Sequence, residues 1–180
     1  LLADPACRGC RLTVAGTPML LRLCPDTAAA TAYRPGTAAL IAERFELDRP
    51  LPFTALFGAG HLLAATDAAT LTLIHAHKGR LRTLTALSSP GPLIALHRLG
   101  AHYVLSTPTR LLLLRTGDLT LRALRRHALP ATHTAAFTHA GRDFLAAAGP
   151  ALGLQVVERR QGALVPVFSA APRRGCATTL

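Results

Sequence analysis

Histidine is the residue type in this sequence best suited to metal binding or proton transfer, and eight histidines occur along the 180 residues. His75 and His77 stand two residues apart in a stretch that alternates apolar and polar side chains. Residues two apart in a β-strand project to the same face of the sheet, so these imidazoles could share one metal ion. The sequence fixes no third ligand, and we interpret the pair as part of a solvated strand face. It therefore predicts neither a metal site nor a cofactor.

Cysteines near both ends of the chain could form disulfides. They are Cys7, Cys10, Cys24 and Cys176. An even number of cysteines favours disulfides in an oxidising compartment, and a bridge from Cys176 to one of the first three would close a long loop. The alternatives are reduced thiols, or metal or redox chemistry at "CRGC", which has no second Cys-x-x-Cys partner. Disulfides predict a secreted or extracellular protein, with an intracellular location as the alternative.

Arginine supplies almost all of the formal net charge of +11. Such a surface attracts acidic protein surfaces and sulfated glycans, and the alternative is that the charges only keep an apolar chain soluble. The arginine bias accompanies abundant Ala, Pro and Gly, as is typical of GC-rich coding sequences, so the charge does not favour nucleic acid as a partner. The candidate binding residues are Arg122, Arg125, Arg126, Arg159 and Arg160.

Sequence motifs for catalysis are absent. No Gly-x-Ser-x-Gly elbow and no Walker motif occurs, and the nine carboxylates are scattered. No apolar run approaches the roughly 20 residues that a transmembrane helix needs. These observations predict a protein without enzymatic activity and without a transmembrane segment.

A short pattern recurs about every forty residues: a polar stretch, a glycine, one further residue and a leucine that opens an apolar run. It is found in "HKGRLRTL" (77–84), "RTGDLTLRAL" (115–124) and "RRQGALVPVF" (159–168). Similarity at a fixed period indicates a repeat architecture. We predict a single repeat domain over 1–180, with units at 51–90, 91–130 and 131–170, a divergent unit at 11–50 and a tail at 171–180. His61 and His102 fall at equivalent positions of consecutive units.

Each unit reads as four short β-strands. Leu71 and Leu73 alternate with Thr70 and Thr72, and Gly, Pro or Asp returns about every ten residues, which is too often for helices of ordinary length. A pair of helices is the alternative, since Ala and Leu are strong helix formers. Four strands per forty residues predict an all-β protein with four-stranded antiparallel blades, which is a β-propeller or part of one. The recurring glycines, expected in the hairpins between third and fourth strands, are Gly79, Gly117 and Gly162.

The segment "FTHAGRDFLAAAGPALGLQVVERRQGALVPVFS", residues 137 to 169, resembles the EAR (EPTP) repeats of the leucine-rich glioma-inactivated family, with Phe137, Phe144 and Leu145 in matching places. WD40 repeats do not fit, because Trp is absent. The resemblance implies a secreted propeller that binds receptor ectodomains. We therefore expect a non-enzymatic interaction module that binds a protein receptor or acidic partner through its loops. The alternatives are an intracellular scaffold associated with nucleic acid and a metal- or haem-binding propeller.

Overall fold

The computed structural model describes residues 5–88, 91–117 and 120–172, without the side chains at 87, 116–117 and 120–127. These residues form sixteen β-strands. No helix among them is long and apolar enough to cross a membrane. Four consecutive strands, paired antiparallel in chain order, form each of four units, here called blades 1 to 4. The predicted all-β fold of four-stranded antiparallel propeller blades is therefore confirmed.

Blades 1 and 2 are formed by the strands before residue 89. Blade 1 consists of β1 (Arg8–Val14), β2 (Thr17–Leu23), β3 (Ala29–Pro35) and β4 (Leu40–Leu47). Blade 2 consists of β5 (Ala55–Ala59), β6 (Leu62–Thr66), β7 (Thr70–His77) and β8 (Arg80–Ser88). The last strands of the two blades, β4 and β8, also pair in parallel over two residues each, which joins the two blades into one eight-stranded sheet.

Blades 3 and 4 are formed by the strands after residue 90. Blade 3 consists of β9 (Ala95–Leu99), β10 (His102–Ser106), β11 (Arg110–Gly117) and β12 (Thr120–Ala128). Blade 4 consists of β13 (His133–His139), β14 (Arg142–Gly149), β15 (Gly153–Arg160) and β16 (Ala163–Ala170). The two blades form separate sheets, so packing of side chains must join them.

The hairpin between β7 and β8 shows why the repeated glycine is needed. Lys78 and Gly79 have φ values of 46° and 73°, and two successive positive φ values are the mark of a type I′ turn. Glycine reaches this region without steric cost, and the turn matches the right-handed twist of the strands. Gly162 occupies the same place between β15 and β16, with φ 78°. The prediction for these two glycines is confirmed.

The chain divides into two compact units, Leu1–Ser89 and Pro90–Leu180, and each has its own apolar core. In the first unit one face of blade 1 packs on one face of blade 2. This core includes Leu21, Leu23, Phe45, Leu63, Ile74 and Leu81, none more than 1% exposed. In the second unit blade 3 packs on blade 4 in the same way. That core includes Val104, Leu111, Leu113, Leu145 and Ala147, all fully buried.

Candidate active site

Three histidine side chains meet at one end of blade 2. His75 and His77 lie on β7 with nearly parallel rings, whose centroids are 6.0 Å apart. His61 comes from the turn between β5 and β6, and its ring stands edge-on to that of His75 with centroids 4.7 Å apart. The backbone holds this turn against β7, because the amide of Ala76 donates a 2.8 Å hydrogen bond to the carbonyl oxygen of His61. We call His61, His75 and His77 the histidine cluster.

The surroundings of His75 keep its imidazole unprotonated at neutral pH. Burial first, and then the neighbouring His61 and His77, lower the pKa of His75 from its ordinary value of 6.5. The Nδ1 atom is buried and has no hydrogen-bond partner among the residues that the structure describes. A neutral imidazole can take up a proton from a bound hydroxyl group or water, whereas a charged one cannot. His75 thus has the properties of a general base.

The histidine cluster is not arranged as a metal centre. Within 5–88, 91–117 and 120–172, no three or more His, Cys, Asp or Glu side chains come together in a way that could hold a metal ion. The metal candidates of the sequence, His75 and His77, stack on one another instead. Proton transfer is the chemistry that this arrangement of rings can carry.

Cationic side chains lie beside the histidine cluster. In the register of β7 with β8, Arg82 lies directly opposite His75, and Arg80 lies directly opposite His77. Side chains of directly opposed residues project to the same face, so Arg80 and Arg82 share the strand face of His75 and His77. Among the described residues, none forms a hydrogen bond or ion pair with the side chains of Lys78, Arg80 or Arg82. The end of blade 2 therefore combines a base with positive charge that is available to an anion.

A second cluster of charged side chains lies between blades 3 and 4. Asp143 on β14 accepts hydrogen bonds from Nε and Nη2 of Arg159 (3.1 and 3.0 Å) and from the hydroxyl of Thr138 (3.0 Å). Burial, followed by the positive charge of Arg159, lowers the pKa of the nearby His102. A Cβ atom at Gly100 would lie 2.7 Å from Oδ2 of Asp143, so the β9–β10 turn packs tightly on the ion pair. These contacts are all made within the fold, so the cluster has a structural role.

The predicted binding residues Arg159 and Arg160 are both engaged inside blade 4. Arg160 donates a 2.7 Å hydrogen bond from Nε to Oε2 of Glu158, a carboxylate that is 4% exposed. This bond is the main reason why the pKa of Glu158 lies below its ordinary value. The two guanidinium groups therefore compensate buried carboxylates of their own blade. The remaining predicted residues, on β12, have side chains outside the described part and stay a prediction: Arg122, Arg125 and Arg126.

The cysteines are used in two ways. Cys7 and Cys24 form a disulfide with Cα atoms 4.0 Å apart, as expected for a protein of an oxidising compartment. Cys10 is buried and has no disulfide partner among the described residues, and burial raises the pKa of its thiol to about 12. Cys176 lies outside the described residues, and the predicted bridge from it to the start of the chain stays a prediction.

Comparison with known proteins gives a match of fold and none of family. No family model and no curated protein matches this sequence. The structure is similar to a crystal structure from Bacteroides fragilis that is provisionally assigned as a 6-phosphogluconolactonase, with a TM-score of 0.56 and 14% sequence identity. The match covers 84% of this chain and 51% of that chain, so this chain spans about half the length of its structural neighbour.

This similarity corrects two expectations, that the chain is a non-enzymatic interaction module and that it has no enzymatic activity. The neighbour is provisionally assigned as an enzyme, so the fold does not favour a non-enzymatic module. Motifs of adjacent residues cannot reveal a site of this kind, because the side chains of His61, His75 and Arg82 come from a turn and two different strands. The resemblance to EAR repeats and the expected receptor, acidic surface or glycan partner stay predictions.

Proposed function

We propose that this chain is part of a secreted hydrolase that opens lactones of anionic sugars, with His75 as the general base. The observation that carries the proposal is the neutral, half-buried imidazole of His75 on the same strand face as Arg80 and Arg82, whose charges lack partners among the described residues. The similarity of fold to a protein assigned as a 6-phosphogluconolactonase supports the reaction class and an anionic sugar as substrate. The Cys7–Cys24 disulfide supports a secreted location.

The reaction needs one base and one water molecule. His75 takes a proton from water as the oxygen attacks the lactone carbonyl, and the ring C–O bond of the tetrahedral intermediate then breaks. The imidazolium of His75 returns the proton to the ring oxygen, which leaves as a hydroxyl group of the opened sugar acid. The carboxylic acid formed ionises and releases one proton to solvent. Because His75 ends each cycle neutral, its lowered pKa suits it to repeated turnover at neutral pH.

The cations would hold the anionic group of the substrate. Arg82 faces His75 across the two strands, so an anion bound by Arg82 lies beside the base. A guanidinium group can donate two parallel hydrogen bonds to a phosphate or carboxylate, which fixes the orientation of the sugar as well as its affinity. Arg80 adds a second donor at the same edge.

Freshly prepared 6-phosphoglucono-δ-lactone is the substrate that tests the proposal. Lactone opening releases acid, so a pH-stat follows the rate above spontaneous hydrolysis. We expect His75→Asn to lower kcat/KM by about 10²- to 10⁴-fold, the usual contribution of a general base. For the wild type, kcat/KM should fall as the pH drops through the lowered pKa of His75, because protonation removes the base.

His139→Asn is the matched control, since His139 is an exposed histidine at the end of β13. It should keep the wild-type rate. Wild-type protein that does not exceed spontaneous hydrolysis would refute the proposed reaction. Equal rates for His75→Asn and the wild type would refute the role of His75 alone, and circular dichroism must show that both variants are folded.

A further inference from the structure

Two hairpin tips at one end of blade 1 carry no charge. The β1–β2 and β3–β4 turns lie at the same end, because successive strands of the blade alternate in direction. No charged residue occurs over residues 12–21, which include the first turn, or over 35–42, which include the second. The β7–β8 turn of blade 2 differs, since it carries Lys78 and is followed by Arg80. Uncharged turns are therefore a feature of blade 1 and not of its neighbour in the same unit.

The β3–β4 tip is apolar and exposed on both of its sides. Leu40 is 70% exposed and Ile41 is 40% exposed, and consecutive residues of a strand project to opposite faces. Ile41 shares its face of β4 with Phe45, which is buried in the core with blade 2, so the tip extends past the packed part of the blade. A partner with a flat surface would cover only one of the two side chains. A lipid layer, by contrast, surrounds an inserted tip on all sides.

Arginines lie behind the tips on every strand of blade 1. Moving away from the turns, the first charged residue is Arg11 on β1, Arg22 on β2 and Arg34 on β3. On β4 it is Glu43, which pairs with Arg34, and Arg44 follows. Among the described residues, none forms an ion pair with Arg11, Arg22 or Arg44. The surface behind the apolar tips is therefore positively charged and attracts anions.

Tyr33 lies at the level where the apolar tips give way to the cations. In the registers of β1, β2 and β3, Tyr33 is directly opposite Leu20, and Leu20 is directly opposite Arg11, so the three side chains share one face. They line a cleft of about 780 Å³ that reaches the tips at Pro18 and Leu40 and that the β5–β6 turn also lines. Tyrosine favours the boundary between water and lipid, because its ring is apolar and its hydroxyl is polar. The order from tip to cation is thus that of a lipid interface.

We propose that this end of blade 1 binds the surface of a membrane that contains anionic phospholipids. Leu40 and Ile41 enter the boundary between headgroups and acyl chains, while Arg11, Arg22 and Arg44 bind lipid phosphates. Burial of apolar area and attraction of cations to anionic lipids both favour such binding. The contact uses no residue of the histidine cluster, so it goes beyond the proposed hydrolysis and is tested without a lactone.

Flotation of the purified chain with large unilamellar vesicles tests the proposal. We expect binding to vesicles of phosphatidylcholine mixed with phosphatidylglycerol, and weaker binding to phosphatidylcholine alone. Binding to the mixed vesicles should fall as salt rises, because salt screens the attraction of the arginines to the lipid. Leu40→Ser should lower the partition coefficient at least about tenfold, since it removes apolar area that the lipid buries. Arg44→Gln should lower it about fivefold, and only on the mixed vesicles.

Two variants elsewhere in the chain are the matched controls. Phe168→Ser removes a large apolar side chain of blade 4 that is 52% exposed, and Arg49→Gln removes an exposed arginine beyond the far end of β4. Both should bind as the wild type does, and circular dichroism verifies the fold of every variant. A wild type that does not bind the mixed vesicles overturns the proposal, and so does equal binding by Leu40→Ser and the wild type.

The absence of Trp from the sequence allows a direct test of insertion. In Leu40→Trp the single indole reports on the tip, so its emission should shift to shorter wavelength on the mixed vesicles, and brominated lipids should quench it. Phe168→Trp is the control and should keep the emission of an indole in water. Vesicle binding without a shift in Leu40→Trp would mean that the tip stays in water, which overturns the proposal. A shift that rises with protein concentration in the absence of lipid also overturns it, because a second copy of the chain then covers the tip.

Discussion

Charged side chains gather at the end of blade 2 and again between blades 3 and 4, but they are held differently. Arg80 and Arg82 lie beside neutral His75 with no ion-pair partner among the described residues. Arg159 instead donates two hydrogen bonds to Asp143 beside His102. A buried carboxylate needs its partners because the loss of one leaves an uncompensated charge inside the fold, whereas surface cations without partners leave their charge available to a ligand. The same residue types can therefore serve stability in one blade and binding in another.

Removal of one partner from the paired cluster should give the largest effect on stability. Asp143→Ala leaves the partly buried guanidinium of Arg159 and the hydroxyl of Thr138 without their acceptor. We expect a loss of about 2 kcal/mol, below the usual cost of breaking a fully buried pair because the side chain of Arg159 is 27% exposed. Arg82→Ala in blade 2 should cost less than about 0.5 kcal/mol. Urea unfolding of both variants measures the difference, and equal losses would contradict the comparison.

The cations at the end of blade 2 should matter for substrate binding instead. Arg82→Gln removes a positive charge that faces His75 but leaves the base itself in place. We expect KM for 6-phosphoglucono-δ-lactone to rise about fivefold to tenfold with kcat changed less than about threefold, because substrate and transition state share this contact. Arg49→Gln, at an exposed position between blades, is the matched control and should leave KM unchanged. A fall in kcat without a change in KM would assign Arg82 to the chemical step.

The fold could be predicted from the sequence because its signals are local. The glycine that recurs about every forty residues stands where a hairpin needs positive φ, as Gly79 and Gly162 demonstrate. Alternation within strands such as β7 gives the period-two signal. These local requirements do not depend on which strands become neighbours, so a single sequence is enough to read them.

The candidate site could be predicted only in part because its contacts are non-local. The pairing of His75 with His77 follows from strand geometry, but the approach of His61 depends on how the β5–β6 turn folds over β7. Register also decides the outcome. Leu99 pairs with His102 across the β9–β10 turn, so His102 lies on β10. In the β5–β6 turn, the pair of residues that closes the turn lies on either side of Gly60 and His61, so His61 stays in the turn. The expected equivalence of these two histidines is therefore wrong by one residue.

The paired cluster also predicts a pH dependence of stability, with the smallest effect. Burial first, then Arg159 and Arg115, lower the pKa of the folded-state His102, while Asp143 opposes the shift. The unfolded chain then takes up a proton near pH 6.5 more readily than the folded chain does, so stability present above about pH 6.5 is lost as the pH falls towards the folded-state pKa. His75 and His97, whose pKa values burial also lowers, act in the same direction. His102→Asn should therefore lose less stability than the wild type between pH 7.5 and pH 5 in urea unfolding, while His139→Asn keeps the full wild-type difference. Parallel losses in wild type and His102→Asn would mean that His102 is as easily protonated in the folded chain as in the unfolded one.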